Sequence, residues 1–123
     1  MQNKPVRFGP VALSATLTTN ILNPGTTAGG VGMPPNSANL YFILRHIRIV
    51  NKTAAAATCS FWVGATGGNV AGTEVIAQAL SIPANSYIDW YGVLRLDASD
   101  FLVGGASAAT TLTFEAEGEI GVN

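Results

Sequence analysis

Apolar and polar positions alternate with a period of two along most of this chain. The cleanest case is near the end: Leu112, Phe114, Ala116 and Ile120 fall on one face, while Thr111, Thr113, Glu115, Glu117 and Glu119 fall on the other. That spacing predicts a half-buried antiparallel strand. Residues 11–17 alternate as well, with Val11, Leu13, Ala15 and Leu17 against Ala12, Ser14 and Thr16, and Ile21 and Leu22 prolong the run. The strongest strand signal is LYFILRHIRIVN at 40–51. There Tyr41, Ile43, Ile47 and Ile49 share one parity, interrupted by Arg45, and Phe42, Leu44 and Val50 share the other with His46 and Arg48. Both faces are partly apolar, as in a strand covered on two sides. On this parity Arg45 and Arg48 point to opposite faces. A further strand is predicted at 58–64, with Cys59, Phe61 and Val63 inward and Trp62 opposite. Tyr87–Leu96 reads as a strand pair or one bent strand, with Gly92 as the kink or bulge, and Phe101–Val103 as a short strand.

Between these runs lie turn signals. NKTAAAAT at 51–58 is too short for a stable helix and reads as a hairpin connection. VIAQAL has helical propensity, but it runs at once into the turn-forming IPANS. ATGGNVAGT, DASD and GGASAA read as loops or turns. NPGTTAGGVGMPPNSAN at 23–39 is a long Gly/Pro-rich loop, and the polar, proline-bearing residues 1–10 read as an extended arm. Short strands with frequent turns and no convincing helix predict an all-β fold. The expectation is an antiparallel β-sandwich of jelly-roll type in a single domain. Residues 1–39 would form an N-terminal arm with one strand and the Gly/Pro-rich loop, and residues 40–123 the sandwich core.

Charge changes this picture. Only 11% of the 123 residues are charged, against about 25% in an average soluble protein, and 48% are hydrophobic. No apolar run approaches the roughly 18–20 residues of a membrane helix, so no membrane is expected. MQNKPVRFGP has no apolar signal-peptide core. A net charge of −1 does not supply the dominant positive field of a nucleic-acid binder. Assembly remains, with uncharged flanks covered by copies of the chain or by other proteins.

Candidate chemistry is sparse. His46, with Ser86 or Ser107 and Asp89 or Asp100, supplies the raw material of a Ser-His-Asp triad, but no G-x-S-x-G elbow is present. Glu115, Glu117 and Glu119 form a straight row, which does not wrap a metal ion. A solvated face, or pairing with Arg45 and Arg48, is the better expectation. No glycine cluster matches a phosphate or dinucleotide loop, so no cofactor is expected. Cys59 reads as a buried, inert thiol. Trp62, Trp90 and Tyr91 suit core packing or a protein contact, with sugar stacking on Trp62 or Trp90 as the rival.

The stretch LYFILRHIRIVNKTAAAATCSFWVG, followed by SIPANSYIDWYGVLRLDASDFLVGGASAATTLTFEAEG, resembles a group of small tailed-bacteriophage virion proteins. The likeness covers roughly residues 40–120 and lies in folding positions, so no functional residue carries over from it. The resemblance implies a structural role without catalysis. It points to a capsid decoration protein on the virion surface, assembled in the host cytoplasm, binding the major capsid protein and itself as a homotrimer. Expected contacts are Lys4, Arg7 and Phe8 of the arm, with Arg45, Arg48, Trp62, Trp90 and Tyr91. A tail, fibre or baseplate module is the alternative, and a carbohydrate-binding sandwich the second.

Overall fold

The computed structural model describes residues 4–24, 30–31 and 40–122. Residues 1–3, 25–29, 32–39 and 123, including most of the expected loop at 23–39, lie outside the described residues. Among the described residues nine strands form: β1 (Lys4–Ala12), β2 (Asn20–Leu22), β3 (Gly30–Val31), β4 (Leu40–Asn51), β5 (Ala57–Gly64), β6 (Leu80–Ile82), β7 (Ser86–Leu96), β8 (Phe101–Ala106) and β9 (Leu112–Val122). They build two antiparallel sheets. One has the order β3-β1-β9-β4-β7 and the other β2-β8-β5-β6. The chain is therefore all-β and sandwich-like, with the first and last long strands paired side by side.

One apolar core lies between the sheets. Phe8, Phe42, Leu44, Ile47, Ile49, Phe114 and Ala116 enter it from the five-stranded sheet, and Leu22, Cys59, Phe61, Ile82 and Leu102 from the other. Ring contacts cross the gap, with the Phe61 and Phe114 centroids 5.8 Å apart. Within the larger sheet Phe8 meets Phe42 at 4.7 Å. The alternation predicted for the last strand holds: Leu112, Phe114, Ala116 and Ile120 are all buried.

The interrupted pattern of β4 has a specific cause. Leu44 pairs with Gly118 of β9 and His46 with Glu117, so Arg45 is an extra residue on the β4 side. Against β7 the count reverses, since Leu44 pairs with Leu94 and His46 with Tyr91. This β-bulge switches the parity of the strand. Phe42 and Leu44 point inward before it, and Ile47, Ile49 and Asn51 point inward after it. Arg45 and Arg48 consequently lie on the same outer face, not on opposite faces. Gly118 lets the bulge form, because a Cβ at this position would stand 1.8 Å from the Ile43 carbonyl oxygen.

Several expectations change. Residues 4–12 are not a free arm. β1 is paired along its length with β9, from Lys4 opposite Ile120 to Ala12 opposite Thr113. Phe8 is a fully buried core residue and offers no partner contact. The strand expected at 11–17 ends at Ala12, and the chain then turns. GGASAA is not all loop, for Gly104, Gly105 and Ala106 belong to β8. Its glycines admit neighbouring backbone: a Cβ on Gly104 would meet the Ser60 carbonyl at 2.2 Å, and one on Gly105 the Ser14 carbonyl at 2.4 Å. NKTAAAAT joins β4 to β5 across the two sheets and is not a hairpin turn. Asn51 anchors this crossing. Its buried amide donates to the carbonyls of Ala55, Ile82 and Pro83, and its oxygen accepts from the N–H and hydroxyl of Thr53. VIAQAL does not coil; Val75 and Ala77 exchange backbone hydrogen bonds with Phe61, and Ile76 and Ala79 take positive φ.

Two substitutions check this account by urea denaturation. Phe8→Ala is expected to cost about 3–5 kcal/mol, as for a buried aromatic, whereas an exposed arm residue would cost within about 0.5 kcal/mol. Gly118→Ala is expected to destabilise by more than about 2 kcal/mol, because the obstructing atoms are backbone.

Candidate functional site on the outer sheet face

The bulge gathers the basic side chains of β4 on the solvent side of the five-stranded sheet. Arg48 stands opposite Asp89 of β7 in the strand register. Its Nε donates to Asp89 Oδ1 at 2.8 Å and its Nη2 to Oδ2 at 3.1 Å, a two-point contact. His46 Nε2 lies 2.8 Å from the same Oδ1. Asp89 is thus shared by two partners, and its side chain is only 19% exposed. The hydrogen bond from Arg48, followed by that from His46, lowers the Asp89 pKa to about 2. The same pairing raises that of Arg48.

Aromatic rings extend the cluster along β7. The Arg48 guanidinium sits 4.7 Å over the Tyr87 ring, and the His46 ring stacks on Tyr91 at 4.7 Å with 17° between planes. Tyr87, Arg48, Asp89, His46 and Tyr91 form a continuous ladder across two strands. On the other side of β4, Arg45 pairs with Glu119, so the acidic row does receive one of the two arginines as expected. That pair is half exposed and worth about 0.2–1 kcal/mol. Beyond it, towards β1, lies an open depression of about 560 Å³ lined by Pro5, Arg7, Arg45, His46, Glu117 and Glu119 among others. Arg7 and Glu117 face each other in the β1–β9 register, and among the described residues neither makes an ion pair.

The expected contact residues separate into two groups. Arg7, Arg45, Arg48 and Tyr91 share the outer face. Lys4 opens β1, and its side chain lies outside the described part. Trp62 does not belong to this surface, being 5% exposed, and so it offers no ring face to a sugar. Trp90 is partly buried against the core, and its ring packs under Gly92. Sequence reasoning missed Tyr87 and Val93, both more than half exposed. It named Asp89 and His46 only as triad candidates. They do touch, but Ser86 pairs with Asn51, five residues along β4 from His46 and about 16 Å away by strand rise. Ser107 accepts from the Thr58 N–H in the other sheet, and Asp100 caps the Asp97 N–H. No hydroxyl of the proposed triad therefore reaches His46. Among the described residues no three acidic, His or Cys side chains converge as a metal would require. Cys59 is buried, which pushes its thiol pKa up to about 11.

No protein family matches the chain, and no curated protein is significantly similar to it.

Asp89 links this face to pH. Its folded pKa lies below the unfolded value of 3.8, so the stability it contributes is present above about pH 4 and is lost as pH falls towards 2. Asp89→Asn is expected to lower the urea midpoint at pH 7 and to flatten its decline between pH 4 and pH 2. An unchanged acid profile in the variant would show that the cluster is not coupled to folding.

Proposed function

We propose that this chain is a non-enzymatic structural protein of a tailed-phage virion, a capsid decoration protein that binds the outer surface of the major capsid shell and associates with itself. With the two-residue β3 set aside, the strand orders 1-9-4-7 and 2-8-5-6 support a jelly-roll reading of the sandwich, an architecture used by viral capsid and lectin domains. The observation that carries the proposal is the surface of a charge-poor chain. Tyr87, Tyr91 and Val93 are 55%, 71% and 66% exposed on a single strand, beside a sheet face whose charges are largely paired. An aromatic-bearing surface with mostly paired charges suits protein contact, where Tyr and Arg are enriched.

The finer assignment gives the shell the β1–β9 side of the outer face. Arg7 and Glu117 stand there in an open depression without ion partners among the described residues, available for charged contacts to another protein. With β1 built into the sheet, gripping by a free arm is no longer needed to explain binding. A tail, fibre or baseplate position uses the same surface and differs only in where the protein sits.

Adding the purified protein to particles of the encoding phage that lack it tests the proposal by electron cryomicroscopy. The expected result is density at regular sites on the head, with Arg7→Glu weakening occupancy about tenfold, the worth of one charge-assisted contact. Density only at the tail transfers the protein to the alternative, and absence from the particle removes both.

A further inference from the structure

We infer that β7 is the edge through which two copies of this chain pair, antiparallel, into a continuous sheet. The inference rests on the self-association proposed above and names its surface and symmetry. Each sheet ends in two edge strands. β2 and β6 have three residues each and β3 has two, whereas β7 has eleven, about 36 Å of strand. Its far side hydrogen-bonds to no other strand among the described residues. Natural monomers protect such edges with proline, lysine or unpaired charge. SYIDWYGVLRL carries neither proline nor lysine. Its two charges are neutralised within the chain, Asp89 by Arg48 and His46, and Arg95 by Asp97. The bulge at Gly92 and Val93 bends only the later part of the strand, for Ser86–Tyr91 pairs regularly with β4.

Exposed apolar side chains gather at this edge. Tyr87, Tyr91 and Val93 lie on β7, and Leu80, 40% exposed, lies on β6, the edge of the facing sheet on the same side of the sandwich. A second copy fits better than an unrelated strand because the edge complements itself. Two-fold pairing centred on Trp90 sets Tyr87 of one copy by Val93 of the other, and Tyr91 by Asp89. It keeps the two Asp89 carboxylates from standing opposite each other, where like charges destabilise. A two-fold contact of this kind closes after two copies, so the unit is a dimer and not a trimer.

Sedimentation equilibrium of the full chain, up to roughly 100 µM, reads the state directly. The expected mass is twice 12.7 kDa. Tyr91→Asp, which opposes the partner's Asp89, and Val93→Lys, a single charge placed on the edge, should each raise the dimer dissociation constant roughly thirtyfold. Both sites are exposed, so circular dichroism should stay close to the parent for each variant; the urea midpoint should stay close for Val93→Lys and fall modestly for Tyr91→Asp, which loses the stack on His46. Hydrogen exchange gives a second readout: β7 amides facing away from β4 should be protected in the associated form and exchange freely in the variants. A monomer throughout overturns this pairing together with self-association. A trimer, or a dimer indifferent to both substitutions, overturns the β7 assignment alone. Shell occupancy is read separately, on particles.

Discussion

The register slip between Leu44 and His46 is the constraint on which the rest of the molecule depends. A strand shows its faces in strict alternation, so a single extra residue exchanges them. Without Arg45 as the extra residue, β4 could bury Phe42 and Leu44 or Ile47 and Ile49, but not both pairs. All four are fully buried here. Burying each contributes about 1.5–3 kcal/mol, so the pair that would otherwise face water outweighs the local loss of ladder hydrogen bonding at the bulge. The slip is possible because β9 carries Gly118 at that point, where the Ile43 carbonyl occupies the space of a side chain. The same slip turns Arg45, His46 and Arg48 outward together. The core and the candidate site are two consequences of one displaced residue.

Polar side chains secure the places where the chain passes between sheets. Asn51 ends β4 with its side chain buried and ties the β4–β5 crossing to the start of the β6–β7 crossing. Asn23 does similar work after β2, donating to the carbonyls of Ala98 and Asp100 in the turn before β8. Each replaces water around backbone groups that no strand can satisfy. Among the described residues no buried side-chain polar atom lacks a partner, which is the condition under which buried amides add order at little net cost.

What could be read from the sequence followed the strength of local alternation. β9 was legible because its apolar and acidic residues separate cleanly, and β4, β5 and β7 because their apolar runs are long. β1 was not, since Pro5, Arg7 and Pro10 resemble an arm and only pairing with β9 reveals Phe8 as core. The first half of β8, Phe101–Val103, was legible, but its second half was hidden by Gly104 and Gly105, whose missing side chains make room for Ser60 and Ser14 backbone as well as suggesting a turn. At the site, the pairing of an arginine with the acidic row was legible from charge alone. The contact of Arg48 and His46 with Asp89 was not, because it requires the β4–β7 register and the bulge. The aromatic pair Trp90–Tyr91 is plain in the sequence, but alternation on an edge strand does not say which ring meets the core. Trp90 turned in and Tyr91 out.

The scarcity of charge and the openness of β7 belong to the same physical argument. Among the described side chains Arg45, Arg48 and Arg95 are engaged with acids of the same chain. Such pairs add little stability at the surface, but they fix geometry: the Asp89 cluster ties β7 to β4, and its Arg48 and His46 lie against the Tyr87 and Tyr91 rings. A flexible edge would lose more conformational entropy on docking than a preorganised one, and a charged edge would need desolvation. The charges of β7, Asp89 and Arg95, are already paired within the chain. Internal neutralisation therefore does two things at once. It pairs the charges that β7 carries, and it sets the Tyr87 and Tyr91 rings against Arg48 and His46.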